Sequence, residues 1–230
     1  MIKAILMDFN GVIIDDEPIQ MRAYQEILKS EGIEVTEEQY LASLGMNDRT
    51  FVRANFDRAG KELTDNKLLE ITQAKTASWR DAIADELPIF PGVENFIKKM
   101  EKEFALGIVS MARREEIEYV LELSGLRECF SIIVASEDIT TYKPDPQCYL
   151  EGFRQLDRVR TTRGSNPMVH ADCLAIEDSP PGVLAAKRAG LKALGVTNTV
   201  SAAQLREAGA DSVTKNLDDW MPATMRDLFV

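Results

Sequence analysis

The chain has 230 residues, 45% hydrophobic and 28% charged, enough to bury a sizeable core as one large domain or a domain with a modest insertion. Its net charge of −11 and pI near 4.7 argue against nucleic acid or an anionic membrane as the main partner, but allow a small anionic ligand held by local positive charge. Cys129, Cys148 and Cys173 lack metal-ligand spacing and are expected as reduced thiols in a cytoplasmic protein; no signal peptide or membrane-length apolar run is read.

Ile2 to Met7 is a short apolar run of strand length, followed by Asp8-Phe9-Asn10-Gly11-Val12, which sets one carboxylate and a flexible glycine at the strand's carboxyl end. Met21, Tyr24 and Leu28 then recur at helical spacing, with Gly32 closing the segment. From Asp15 to about Leu87 the pattern is helical throughout, with a capping-type start at Thr36-Glu37-Glu38-Gln39 and a long amphipathic run from Leu68 to Ile83. Pro88-Ile89-Phe90-Pro91-Gly92 breaks this block. Beyond it, strands are expected at 105–109, 131–135, 173–176 and 193–196. Helices are expected on the face of Val93, Phe96, Ile97, Met100 and Phe104, and at 115–124, 146–156 and 182–189. Residues 157–172 read as an irregular polar segment whose first part, Asp157 to Asn166, is a mobile surface loop.

The alternation predicts an α/β fold: a doubly wound, Rossmann-like parallel-sheet core (1–14 and 89–230) with an inserted all-helical cap domain (15–88). In such sheets ligands bind beyond the carboxyl ends of the strands. Four features fall at those ends: Asp8 with Asn10, Ser110, Lys143 in Lys143-Pro144-Asp145-Pro146, and Glu177-Asp178. A carboxylate nucleophile, a hydroxyl, a cation and an acid pair suit phosphoryl transfer with one hard divalent cation. His170, the sole histidine, reads as a surface or packing residue, and Trp79 and Trp220 as packing residues.

On these segments the chain resembles the haloacid dehalogenase-like superfamily, over essentially its whole length. The likeness is to members with a helical cap, such as β-phosphoglucomutase and phosphoglycolate phosphatase. Asp8 to Glu17 looks like motif one, Ser110 motif two, Lys143-Pro144-Asp145-Pro146 motif three and Ile176-Glu177-Asp178-Ser179 motif four. The resemblance implies that Asp8 attacks phosphorus to form an aspartyl-phosphate. It implies Mg2+ between Asp8, the backbone carbonyl of Asn10 and Asp178, with Glu177 near or within its shell. Ser110 and Lys143 would hold the transferring phosphoryl oxygens, with Met111 standing where relatives often carry a small polar residue. The cap is expected to choose the substrate, a small phosphorylated metabolite, through Glu17, Gln20, Arg22, Arg49 or Lys75, with Arg49 foremost as the grip on a substrate anion. A monomer or weak homodimer is expected, with cap hinges near Asp15–Asp16 and Pro88–Gly92.

Position 10 departs from the pattern. The family usually has an acid/base Asp there, and an amide neither gives nor takes a proton at neutral pH. Losing a general acid/base costs on the order of 10²–10⁴ in rate. The leading expectation is a Mg2+-dependent phosphatase with low activity. The alternatives are a non-catalytic phosphometabolite binder and a β-phosphoglucomutase-like mutase. Position 10 also raises the phosphonate-hydrolase branch, but the place of that branch's cap lysine falls at Asp48. Dehalogenation is disfavoured by the Glu177-Asp178 pair.

Overall fold

Every residue of Ala4–Met7 is apolar, and a run of that kind suits a strand covered on both faces. In the computed structural model, which describes residues 1–229, it is β1, fully buried. The elements that follow are α1 (Glu17–Ser30), α2 (Glu37–Leu41), α3 (Asp48–Arg58), α4 (Asp65–Ile83) and α5 (Val93–Met100). Then come β2 (Ala105–Val109), α6 (Arg114–Leu123), β3 (Ile132–Val134), α7 (Gln147–Thr162), β4 (Cys173–Glu177) and α8 (Pro180–Arg188). The chain ends with β5 (Lys192–Val196), α9 (Ala202–Glu207), β6 (Ser212–Thr214) and α10 (Pro222–Leu228).

The six strands form one parallel sheet in the order β3-β2-β1-β4-β5-β6. The order reverses direction at β1, so β1 and β4 flank the switch point where such sheets open a crevice. Alternation along β1 sends Ile5 and Met7 to a face packed by Phe96, Ile97, Ile117 and Val120, and Leu6 to a face packed by Tyr149, Leu156 and Val183. Gly152 of α7 lets that helix lie close on the second face, since a Cβ there would stand 2.6 Å from Val109. Between β1 and α5 the described residues form helices α1–α4, which pack Tyr24, Leu28, Phe51, Val52, Phe56, Leu68 and Ile71 into a cluster of their own. The chain leaves and re-enters the sheet side by side: Asp15 N donates to Pro88 O (2.7 Å) and Phe90 N to Ile13 O (3.1 Å). Thr36 and Gln39 close the expected capping box.

Sequence expectations change at several places. Phe104, expected on the helical face of α5, lies beyond its end at Met100, in the turn that leads into β2. Helix α7 continues to Thr162, so the segment expected to be irregular from 157 is helical over its first six residues. Its Arg-rich composition is compatible with helix, and Val159 packs against the core one turn beyond the predicted end. A sixth strand, β6, and helices α9 and α10 were not foreseen. β6 is three half-buried residues at the sheet edge, without an apolar run to announce it. The three cysteines are free, and no helix among the described residues is long and apolar enough to cross a membrane.

Candidate active site

Strand register brings the predicted residues together. Met7 is level with Ile108 on one side and Ile176 on the other, so Asp8, Ser110 and Glu177-Asp178 emerge from three adjacent strands. Asp8 N donates to Ile176 O (3.0 Å) and Ser110 N to Val134 O (3.0 Å), prolonging the ladder to the edge of the crevice. The chain then turns at Gly11, whose φ of 71° and proximity to Asp178 exclude any side chain: a Cβ there would lie 1.9 Å from Asp178 Oδ2. Ser179 caps α8 by accepting from Gly182 N (3.3 Å), which fixes the turn that carries Asp178.

Lys143 arrives from the loop before α7 and is buried with its ammonium 2.7 Å from Asp8 Oδ2 and 2.6 Å from Glu177 Oε1. Burial opposes its charge, but Asp8 and Glu177 outweigh burial and hold its pKa above the ordinary lysine value. Glu177 is wholly buried and also accepts from Tyr149 OH (2.6 Å). Burial pushes the Glu177 and Asp178 carboxyls upward, Asp178 well above the carboxylate range with the charges of Glu177 and Asp8 adding to the effect. Thr199 donates its hydroxyl to Asp178 Oδ2.

Asp8, Glu177 and Asp178 each offer an oxygen within 4.8 Å of the others. If all three carboxylates are ionised, they exceed the one ammonium of Lys143 by two negative charges in a buried site, and burial with that excess pushes the carboxyls upward when no cation lies between them. Hard oxygen donors with that deficit fit one divalent cation of the Mg2+ type. Ser110 lines the same pocket, its Oγ accepting from Ala112 N (3.1 Å), which leaves its own proton for an anion.

Asn10 faces away from proton chemistry. Its Nδ2 donates to both oxygens of Asp16 (2.9 and 3.0 Å), a fully buried carboxylate that also accepts from Gln20 Nε2 (2.9 Å) and Trp79 Nε1 (2.7 Å). Burial raises Asp16's pKa, and these three donors oppose the rise. Trp79 is thus both the packing residue expected and a hydrogen-bond donor from α4 to the start of α1.

Across the pocket the helical block closes over the strand ends. Glu17 lines the pocket and accepts from Tyr40 OH (2.7 Å); burial, then the charge of Asp16, pushes its carboxyl up to about 7. Lys75 is buried, with its ammonium 3.0 Å from Glu116 of α6 and 3.3 Å from Asp48, and Thr76 Oγ1 donates to Glu116 Oε1 (2.7 Å). Met111 lines the pocket, as do Gln20 and Lys75. Arg49 and Arg22 do not. Both are exposed, and Arg49 sits one residue past Asp48, which takes the inward position at the start of α3. The cation that the helical block places inside is Lys75. Sequence reasoning missed Asp16, Asp48, Glu116, Tyr149 and Thr199. Glu116 carried a signal, since it lies four residues before the buried Val120 on the apolar stripe of α6.

The comparisons with known proteins agree with this architecture. The Thermotoga maritima protein named phosphorylated carbohydrates phosphatase is 26% identical over 216 residues, covering 93% of this chain and 94% of its own. The crystal structure of β-phosphoglucomutase from Clostridium difficile superposes with a TM-score of 0.84 at 19% identity, over 100% of this chain and 97% of that one. CbbY from Rhodobacter sphaeroides, an Asp-to-Asn variant in complex with xylulose-(1,5)bisphosphate, gives a TM-score of 0.79 at 26% identity, over 95% and 96% of the two chains. The family model for haloacid dehalogenase-like hydrolases matches residues 5–196, and the chain belongs to that family.

Proposed function

We propose that the protein is a phosphatase of a small phosphorylated metabolite, working through a phosphoryl group carried on Asp8. The observation that carries this reading is the ammonium of Lys143 bridging Asp8 and Glu177 (2.7 and 2.6 Å) beside Asp178, with Ser110 lining the same pocket. The phosphatase name of the Thermotoga maritima relative and the sugar bisphosphate held by CbbY support a phosphorylated carbohydrate as substrate. Mg2+, held by Asp8, Asp178 and the Asn10 backbone carbonyl with Glu177 near or within its shell, would neutralise charge on the phosphoryl oxygens.

The chain's own groups do the rest. A carboxylate oxygen of Asp8 attacks phosphorus and forms the O–P bond as the ester oxygen leaves with the bonding pair. Lys143 and Ser110 donate to the oxygens of the transferring group, and Lys143 offsets the repulsion of an anion among carboxylates. Water then attacks phosphorus, losing its proton to the carboxylate that protonated the departing oxygen, and the P–O bond to Asp8 breaks to give free phosphate and the Asp8 carboxylate. The departing oxygen needs a proton that Asn10 cannot supply. Glu17, with its carboxyl near neutrality, lines the same pocket and is the group we assign to that transfer. Residues 15–88 serve as a cap that excludes water, pivoting where the chain crosses at 14–16 and 88–90.

The test is to present an aryl phosphate, whose leaving group needs little protonation, with Mg2+, and to follow the chain's mass. A phosphoryl adduct on Asp8 that forms faster than it clears supports the reading, and Asp8→Asn should abolish it. A second reading, a binder without turnover, is favoured by the Asn10–Asp16 contact, which removes position 10 from proton transfer. Tight phosphate binding with no adduct would establish the binder instead.

A further inference from the structure

Each carboxylate at the strand ends has an oxygen already committed to the protein. Asp8 Oδ1 accepts from Phe9 N (2.7 Å), and its Oδ2 lies 2.7 Å from the Lys143 ammonium. Glu177 Oε1 accepts from both Lys143 Nζ and Tyr149 OH (2.6 Å each). Its Oε2 accepts from Ser179 Oγ (3.4 Å) and is walled in by Gly182, where a Cβ would stand 2.0 Å away. Asp178 is held on one side only. Its Oδ2 accepts from the Thr199 hydroxyl and lies so near Gly11 that a Cβ there would come within 1.9 Å. Its Oδ1 takes no hydrogen bond among the described residues, and Asp178 lines the pocket.

Thr199 comes from a part of the chain that carries no acid or lysine of the site, the loop between β5 and α9. That loop is anchored at both ends. Thr197 N donates to Thr214 O of β6 (3.0 Å), and Ser201 caps α9 by accepting from Gln204 N (3.4 Å). Between the anchors, Asn198 Nδ2 donates to Gly11 O (2.8 Å). The loop therefore holds the turn that follows Asn10 and the carboxylate of Asp178 together. A hydrogen bond to one oxygen of a carboxylate fixes its orientation and decides which oxygen a metal meets.

The number of oxygens offered separates the hard divalent cations. Mg2+ demands a near-octahedral shell and is met by single carboxylate oxygens, whereas Ca2+ fills a larger, looser shell and often takes both oxygens of one carboxylate. Resting on the Mg2+ site proposed above, we infer that Thr199 is a positioning residue for Asp178: its hydroxyl commits Oδ2, leaves Oδ1 for the cation, and biases the site toward Mg2+ over Ca2+. To offer both oxygens, Asp178 has to give up the Thr199 bond and leave the Gly11 wall.

The test is thermal unfolding of the full chain with MgCl2 or CaCl2 as the only divalent salt, at constant ionic strength. The rise in melting temperature with metal concentration gives each dissociation constant, and the value without metal shows that each variant folds. Thr199→Val, which exchanges the hydroxyl for a methyl of similar size, should weaken Mg2+ about tenfold and leave Ca2+ within about twofold. Thr199→Ala, which cannot crowd Gly11, should do the same. Thr199→Ser, which keeps the hydroxyl, should retain the wild-type ratio of the two constants. A loss that falls equally on both metals, a Mg2+ constant unchanged in the Val and Ala variants, or a Ser variant that behaves like Ala overturns the assignment of Thr199 while the metal site stands. If the wild-type chain binds neither cation, the Mg2+ reading itself falls and takes this inference with it.

Discussion

Asn10→Asp restores a carboxyl where the family usually has one, and the structure says what that carboxyl meets. The Asn10 amide nitrogen lies 2.9 and 3.0 Å from the oxygens of Asp16, which is fully buried. An aspartate in the same rotamer replaces that donor with an acceptor. Two charges about 3 Å apart at an effective dielectric near 20 repel by about 5 kcal/mol. Keeping one carboxyl protonated at pH 7 instead costs about 4 kcal/mol, from a shift of roughly three pKa units. The pair therefore shares one proton at neutral pH. The variant is accordingly destabilised by about 4 kcal/mol at pH 7. Because the pair's folded pKa is raised, that penalty is absent below about pH 4 and grows as the pH rises toward the folded value. Turnover of an alkyl phosphate should still rise at least tenfold, short of the full 10²–10⁴ because Asp16 holds the proton. Asn10→Asp combined with Asp16→Asn removes the competition and should gain more than the single change in both rate and stability. Phosphate release in Mg2+ and urea denaturation at pH 5 and pH 8 measure the two effects. No gain in rate from either variant would refute this account of position 10, and an unchanged stability would refute the Asn10–Asp16 contact.

Glu17→Gln keeps an acceptor for Tyr40 but removes a carboxyl pushed up to about 7 by burial and the charge of Asp16. A folded pKa above the unfolded one means stability is lost as pH rises from about 4.5 to 7, by up to about 3 kcal/mol; the Gln variant should lack that loss, and a pH-independent difference between the two in urea would count against it. The same change should flatten the pH–rate profile near neutrality. Lys75→Met strands Glu116 and Asp48 in the interior and should cost about 3–5 kcal/mol in urea denaturation, with more than half recovered by adding Glu116→Gln; additive losses would show that the charges act independently. Gly182→Ala places a Cβ 2.0 Å from Glu177 Oε2 and should cost about 1–3 kcal/mol while displacing Glu177 from Lys143; an unchanged urea midpoint would show that Glu177 has room to move.

Asp8, Ser110 and Glu177-Asp178 were legible because each ends an apolar run, and parallel register carries strand ends to one edge. Lys143 was legible only as part of a motif, since nothing local to a lysine before a proline reveals that it reaches Asp8. Contacts across the fold were not legible: Tyr149 to Glu177 spans 28 positions, and Thr76 to Glu116 spans 40. The helical block offered the right segment and the wrong side chain. The turn at Leu44-Gly45 does lead into the pocket, but the start of α3 turns Asp48 inward and leaves Arg49 exposed, a one-residue phase that periodicity does not resolve over so short a stretch. Lys75 was among the residues expected there, and its place on the stripe of Ile71, Trp79 and Ile83 that α4 buries is the signal that ranks it above Arg49.

Several ties between the helical block and the sheet lie at or beside the pocket: Lys75 and Glu116 line it, as does Asn10, which holds Asp16. Helix α4 supplies Lys75 and Thr76 to Glu116 of α6, and within the block Trp79 holds Asp16, the partner of Asn10. Inside a closed pocket an unpaired Glu116 would be costly, but at an opening cleft both partners regain water as they separate, so the net cost of parting them is far below that of deleting one. On the proposed cap reading, such contacts give registry to the closed form without locking it. A ligand that touches the helical block and the strand ends at once would favour closure by its differential contacts. Inorganic phosphate, held only by Ser110 and Lys143, lacks that grip. Gripping such a ligand and excluding water at Asp8 are then one event.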